Sequence, residues 1–273
     1  MIKLRKAGYQ PFGSHRAGFV VVISSLALGL AAIPGKASAQ SAEKAPWQAD
    51  HITIGAGATV IPTFEGSDST RVMPLPAIDI RQGIFIANLL NGVGVDVPVS
   101  DSVSLGAGAV FVLGYRHKDV PDGIDKISNA AGIRGHATIR KWGFIGSLGV
   151  TKILGGTKGT TADVLVSYPI RLDDRLTVAP ALGTSWADSK YNDRYFGISE
   201  AEAMRSGLPT FHMGSGFKDV VFSLNANYRL SPRWNLTAGA SAIRLVGDAL
   251  DSPLVQKKLN GTGLVTLSYT FGR

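Results

Sequence analysis

After residue 50, apolar and small or polar residues alternate one by one along most of the chain. In 102–115, Val103, Leu105, Ala107, Ala109, Phe111, Leu113 and Tyr115 share one face, and Ser102, Ser104, Gly106, Gly108, Val110, Val112 and Gly114 share the other. The same period of two sets Ala162, Val164, Val166, Tyr168 and Ile170 together. It sets Val220, Phe222, Leu224, Ala226 and Tyr228 opposite Asp219, Ser223, Asn225 and Asn227. In the last segment Val265, Leu267, Tyr269 and Phe271 oppose Thr266, Ser268 and Thr270. Alternation at period two is the signal of a strand with two different faces. It predicts twelve strands, near 52–61, 71–80, 84–90, 92–98, 102–115, 131–141, 143–154, 161–171, 175–187, 217–230, 233–246 and 259–271, with ten as the nearest alternative count.

A soluble sandwich also alternates, so three further features decide the class. Several segments run ten or more residues, longer than ordinary globular strands and suited to a tilted membrane-spanning one. The second face is small or polar, as a hydrated lumen requires. The links also alternate in length. "RQG", "VSDS", "KW", "LDD" and "SP" are short, whereas "PTFEGSDST", "RHKDVPDGIDKISNA", "GGTKGT", "YNDRYFGISEAEAMRSGLPTF" and "DALDSPLVQKK" are long; the link around Asn91 is the exception. Short turns on one side and long loops on the other predict an all-β fold, a transmembrane antiparallel up-and-down β-barrel with its long loops extracellular. Tyr115, Trp142, Trp186, Tyr228, Trp234, Tyr269 and Phe271 fall near predicted strand ends, where aromatic girdles sit. Pro74, Pro76, Pro169 and Pro180 each remove a ladder donor and are expected at bulges or strand ends.

One loop breaks the β pattern. Ser199 and Glu202 have capping-box spacing, "EAEAMRS" is made largely of helix formers, and Gly207 followed by Pro209 supplies the stop. A short helix is therefore predicted inside the 191–211 loop. Tyr191, Tyr195, Phe196 and Gly197 precede it, and such aromatics either fold down into the barrel mouth or form a contact surface.

Charge and composition change the picture at the N-terminus. Residues 1–39 run from a basic stretch through the 17-residue apolar core "AGFVVVISSLALGLAAI" to "ASA", the order of a cleaved signal peptide. That segment holds five of the 28 basic residues and no acid, so the remaining chain carries a net charge of +3 instead of +8. A nucleic-acid partner loses most of its support. The absence of cysteine removes disulfides, thiolate metal sites and Cys nucleophiles. The expected organisation is a signal peptide at 1–39, a periplasmic segment at 40–50 and a barrel over 51–273.

Candidate chemistry is sparse. The G-x-G stretches open no helix after a strand, so none is a dinucleotide fingerprint. His51, His117, His136 and His212 have no metal spacing. His136 is expected as a lumen-facing polar residue, with no serine or acid assignable to it. Glu65 and Asp68 in "FEGSDS", like "PDGID" and "LDD", read as solvated turns. No cofactor and no enzymatic activity are expected.

"GAGATVIPTFEGSDSTRVMPLPAIDI" and the run from Tyr191 to Val255 together resemble the MipA/OmpV family in sequence and order. The resemblance implies an outer-membrane protein. It further implies a scaffold that brings a murein-cleaving lytic transglycosylase together with a bifunctional murein polymerase, other members being surface antigens or adhesins. It brings no catalytic residues. On the periplasmic side a scaffold has only the 40–50 segment and turn residues such as Asp173, Asp174, Pro232 and Arg233. The alternative is a small channel or an adhesin using the long loops.

Overall fold

The period-two segments form twelve antiparallel strands, each hydrogen-bonded to the next, in a computed structural model that describes residues 46–271. The expected signal peptide lies outside the described residues. The strands are β1 (His51–Pro62), β2 (Thr70–Gln82), β3 (Phe85–Asn88), β4 (Gly92–Pro98), β5 (Val103–Val112) and β6 (Ala130–Lys141). They continue as β7 (Phe144–Ile153), β8 (Thr160–Ser167, resumed at Ile170–Arg171), β9 (Leu176–Ala187), β10 (Gly216–Arg229), β11 (Trp234–Leu245) and β12 (Leu259–Phe271). The last strand pairs back onto the first, from Ile52 opposite Phe271 to Val60 opposite Gly263, and closes the barrel. Closure leaves no free edge at the seam, the condition for crossing lipid with strands.

The two faces separate as the alternation predicts. Outward residues such as Ile54, Leu105, Ile133, Leu148, Leu182, Phe222 and Val265 are exposed, and inward ones such as Asp96, His136, Ser223, Asn225, Thr266 and Ser268 are buried. The inward face is not uniformly small or polar, however. Toward the long loops it carries Ile61, Val110, Ile153, Val221, Ile243 and Leu245, all buried. The lumen therefore has a polar half near the short turns and a more apolar collar near the loops.

The lumen-face glycines do more than line a wet channel. A Cβ on Gly149 would lie 2.0 Å from Nη2 of Arg134, and one on Gly106 would lie 2.4 Å from the His136 ring. The neighbouring strand's long side chains lie flat across these positions, so glycine is what admits a charged layer against the wall.

Two boundaries differ from the sequence reading. β3 has only four residues and pairs with β2 through Asp79–Gln82 alone, so Thr70–Ile78 has a strand partner on one side only. Pro74 and Pro76 sit in that stretch and do not end the strand, because at an unpaired edge a missing N–H breaks no ladder. β5 stops at Val112, and the chain then turns inward, with Tyr115 bridging to Ile127. Pro169 marks the interruption of β8, and Pro180 on β9 lies opposite that gap.

Gly149→Val should lower unfolding stability by about 1–3 kcal/mol through overpacking against Arg134, read as a reduced urea midpoint in lipid vesicles. Gly135→Val on the outer face of β6, where a Cβ meets nothing within 4 Å, should leave the midpoint nearly unchanged.

Candidate functional site

The loop between β9 and β10 contains two helices, where one was expected. The aromatic stretch is itself helical: α1 (Ser189–Phe196) starts at Asp188, whose side chain accepts from the Tyr191 N–H at 2.8 Å. Spacing of four stacks Tyr191 on Tyr195, with centroids 5.3 Å apart and planes 7° from parallel. Gly197 then takes the chain across the end of α1 so closely that a Cβ would fall 2.0 Å from the Asp193 carbonyl oxygen. α2 (Glu200–Ser206) has the reciprocal cap between Ser199 and Glu202 and ends at Gly207 with φ +73. These are the caps the spacing predicts; Pro209 follows, exposed.

α1 turns its rings downward. Tyr191, Tyr195 and Phe196 are buried, with Phe196 fully so, among Phe64, Tyr115, Val120, Ile124, Ile127, Leu245 and Leu254. These residues come from loops 63–69, 113–129 and 246–258 and from the apolar collar of the wall. Four loops thus fold into one plug over the lumen.

Polar contacts lock the loops to one another. The Glu65 N–H donates to the Tyr195 hydroxyl at 3.1 Å, and Ser252 Oγ donates to the Phe196 carbonyl at 2.6 Å. Glu202 Oε1 accepts from the Asp125 N–H at 3.1 Å, and Arg205 pairs with Asp125 at 3.0 Å. The cap carboxylate therefore also ties α2 to loop 113–129. Tyr115 lies inside this plug and packs edge-on against Tyr195 at 5.4 Å, so it is no part of an outer girdle.

Beneath the rings sits a buried charge cluster that the pattern did not reveal. β10 carries a bulge: Asp219 faces Ser185 and Phe217 faces Trp186, which leaves Lys218 without a partner in register. The bulge turns Lys218 inward beside Asp219. Its Nζ donates to both oxygens of Glu65, at 2.9 and 2.7 Å, and to Asp219 at 2.7 Å. Glu65 is thus not a solvated turn residue; it is the acceptor that anchors loop 63–69 to the wall. Lower down, Arg134 forks onto Asp163 at 2.6 and 2.8 Å and reaches Asn91 and Thr151. Near the turns, Asp96 pairs with Arg81 and lies 3.3 Å from His136 Nε2. His136 has the lumen position expected of it and does have an acid partner, although no described hydroxyl hydrogen-bonds to its ring.

Burial sets the ionisation of the plug. Burial pushes the Tyr191 and Tyr195 phenols well above their ordinary value, so both stay neutral. It also raises the Glu65 carboxyl, against the opposing pull of Lys218. Burial acts upward on Glu202 as well, but the donors of Ser199 and Asp125 outweigh it and hold that carboxyl below its ordinary value.

Tyr191 lines two cavities, of about 70 and 80 Å³. Each has room for a handful of waters. Among the described residues, no cluster of His, Asp or Glu could hold a metal ion.

The remaining aromatic positions divide by end. Tyr228 and Trp234 reach the outer surface near the short turns, where Trp234, Tyr269 and Phe271 form edge-to-face pairs. Trp142 occupies the turn between β6 and β7 at φ +55, highly exposed, and Trp186 lies at the loop end of β9. Among the turn residues, Asp173 Oδ1 accepts from the N–H groups of Arg175 and Leu176, Asp174 is 99% exposed, and Arg233 reaches the Tyr269 hydroxyl at 3.0 Å. Pro232 sits in the next turn, between β10 and β11.

A family model described as MltA-interacting protein MipA matches residues 54–271, which is nearly the whole barrel. The chain belongs to this family. The MltA-interacting protein of Escherichia coli (strain K12) is 25% identical over 225 residues, covering 80% of this chain and 89% of that protein. The putative outer membrane protein YiaT of the same organism is 29% identical over 131 residues, and the match spans about half of its length, 52%. Outer membrane protein OmpV of Vibrio cholerae is 31% identical over 98 residues, 34% of this chain and 36% of that one. Among solved structures, the KdgM porin aligns at 10% identity with a TM-score of 0.43, over 81% of this chain and 99% of that one. A closed barrel in a family of outer-membrane proteins locates this MipA-family chain in the Gram-negative outer membrane.

Lys218→Met should destabilise the folded barrel by about 3 kcal/mol, because it leaves buried Asp219 and half-buried Glu65 without their cation; urea unfolding in vesicles measures it. A pH effect follows from Glu202. Its lowered pKa contributes stability above the ordinary value of 4.5, and that contribution is lost as pH falls through the folded value. Hydrogen exchange of the α2 amides, corrected for intrinsic rate, should be faster at about pH 3 than at about pH 6. Glu202→Gln should flatten the difference.

Proposed function

We propose that this MipA-family barrel is a non-catalytic scaffold that holds a murein-cleaving lytic transglycosylase, and through it a bifunctional murein polymerase, at the inner surface of the outer membrane. The observation that carries this reading is the alignment with 89% of a protein named for its interaction with MltA. The plugged mouth supports it over a standing channel, since the α1 rings pack among loops 63–69, 113–129 and 246–258 and the apolar collar of the wall.

In this reading the short turns and the 40–50 segment face the periplasm, and the long loops face outward. Asp174, Pro232 and Arg233 belong to the periplasmic contact surface. Asp173 supports it indirectly, because its carboxylate is already engaged in holding the turn. The aromatic residues of 191–196 act as the mouth plug, and Ser199, Glu202, Gly207 and Pro209 shape the loop that carries them.

Immobilised lytic transglycosylase should retain the detergent-folded chain at low salt. Asp174→Arg should weaken that retention while Glu200→Arg at the opposite end does not. An unmodified chain that is not retained would sink the scaffold reading. Met204, 82% exposed on α2, reports orientation: a Met204→Cys variant should react with an impermeant reagent on intact cells. Reaction only after the outer membrane is broken would invert the topology. A steady current in planar bilayers would favour the channel reading, whereas the scaffold reading expects a closed trace.

A further inference from the structure

The short-turn end of the lumen has a charged feature that the plug does not use. Trp47 of the segment before β1 folds over this mouth, and its Nε1 donates to the Asp101 carbonyl at 3.2 Å. Its ring lies 4.1 Å from the Arg140 guanidinium and 5.9 Å from that of Arg81. One indole therefore serves two cations, each attracted to the ring while repelling the other.

The charges around them pair off unequally. Arg81 has Asp96, which also accepts from His136 at 3.3 Å, and His51 has Asp79 at 3.3 Å. Arg140 makes no side-chain hydrogen bond or ion pair with any described residue, and its Nη1 is buried without a partner. On the same strand, β6, the His136 side chain is fully buried with Nδ1 unpartnered. A guanidinium that stacks by its face keeps its in-plane N–H fork free, and that fork matches the two oxygens of a carboxylate or phosphate. Asp96 attracts Arg140 only from a distance while it contacts Arg81 and His136, so an oxyanion there would give Arg140 a counter-charge in direct contact and offset the repulsion between the two guanidinium groups.

We propose that the short-turn mouth is an oxyanion-binding vestibule, in which Arg140, stacked beneath Trp47, grips a carboxylate or phosphate group with its free N–H edge. Arg81, 5.9 Å from the same indole, adds attraction and stays paired to Asp96. Trp47 acts as the lid of this vestibule and as its natural reporter, since anion entry alters the field across the indole.

The test uses the full mature chain folded in detergent, with tryptophan fluorescence followed during titration with sodium acetate, sodium phosphate or sodium chloride at constant ionic strength. A saturable change with acetate, with phosphate or with both is expected, and which of them acts distinguishes the carboxylate from the phosphate source. Arg140→Gln should weaken apparent affinity by roughly tenfold or more. Arg140→Lys, which keeps the charge but not the fork, should fall between the two. Boiled and unboiled gel mobility verifies that each variant has folded, and the lysine variant carries the test if the glutamine variant has not. A response that does not saturate, that chloride reproduces equally, or that survives Arg140 substitution undiminished would overturn the proposal.

Discussion

Inside hydrocarbon, a backbone N–H or C=O without a partner costs several kcal/mol, and the pairing of β12 with β1 is the contact through which this chain meets that constraint. Once the sheet closes, every strand must present one face to lipid and the other to the lumen. The alternation of Val265, Leu267 and Tyr269 with Thr266, Ser268 and Thr270 is then obligatory. The departures fall where the constraint relaxes. Pro74 and Pro76 occupy the stretch of β2 that has a strand on one side only, and Pro169 sits in the gap of β8.

The lumen solves a second problem, that of filling a closed tube. Near the loops an apolar collar that includes Val221, Ile243 and Leu245 receives the rings of α1, so the plug packs much as a small globular core does. Lower down, glycines such as Gly106 and Gly149 let His136 and Arg134 lie against the wall. Buried cations are tolerable there because they are paired: Lys218 has two carboxylates and Arg134 a bidentate one. The bulge in β10 joins the two regions, since it directs Lys218 to Glu65 and so ties loop 63–69 to the wall beneath the rings. The proposed roles divide along the same axis, with the plug at the loop end and the proposed contact and anion-binding surfaces at the turns.

Much of this was legible in residue order. Strand number, turn and loop asymmetry, and the caps at Ser199, Glu202 and Gly207 all follow from local rules that act over two to four residues. The helix over 189–196 escaped the pattern because its aromatics suit a loop and its N-cap, Asp188, lies between the predicted strand 175–187 and the 191–211 stretch. Tyr115 was assigned to the girdle because strand alternation was carried three residues past Val112, where the chain leaves the sheet and turns inward. Lys218 gave no signal, since a bulge shifts one residue without altering the composition around it. Glu65 read as a turn acid because its partner lies 153 residues away.

By itself, the sequence determined the period-two faces, the alternating link lengths and the helix caps, because each depends on neighbours within a turn or a pleat. Only the tertiary structure decided that the loops meet as a plug and that Lys218 meets Glu65. It alone set Trp47 over Arg140. Those contacts join segments far apart in the chain, and they exist only because closing the sheet brings both ends of every strand into two shared rims.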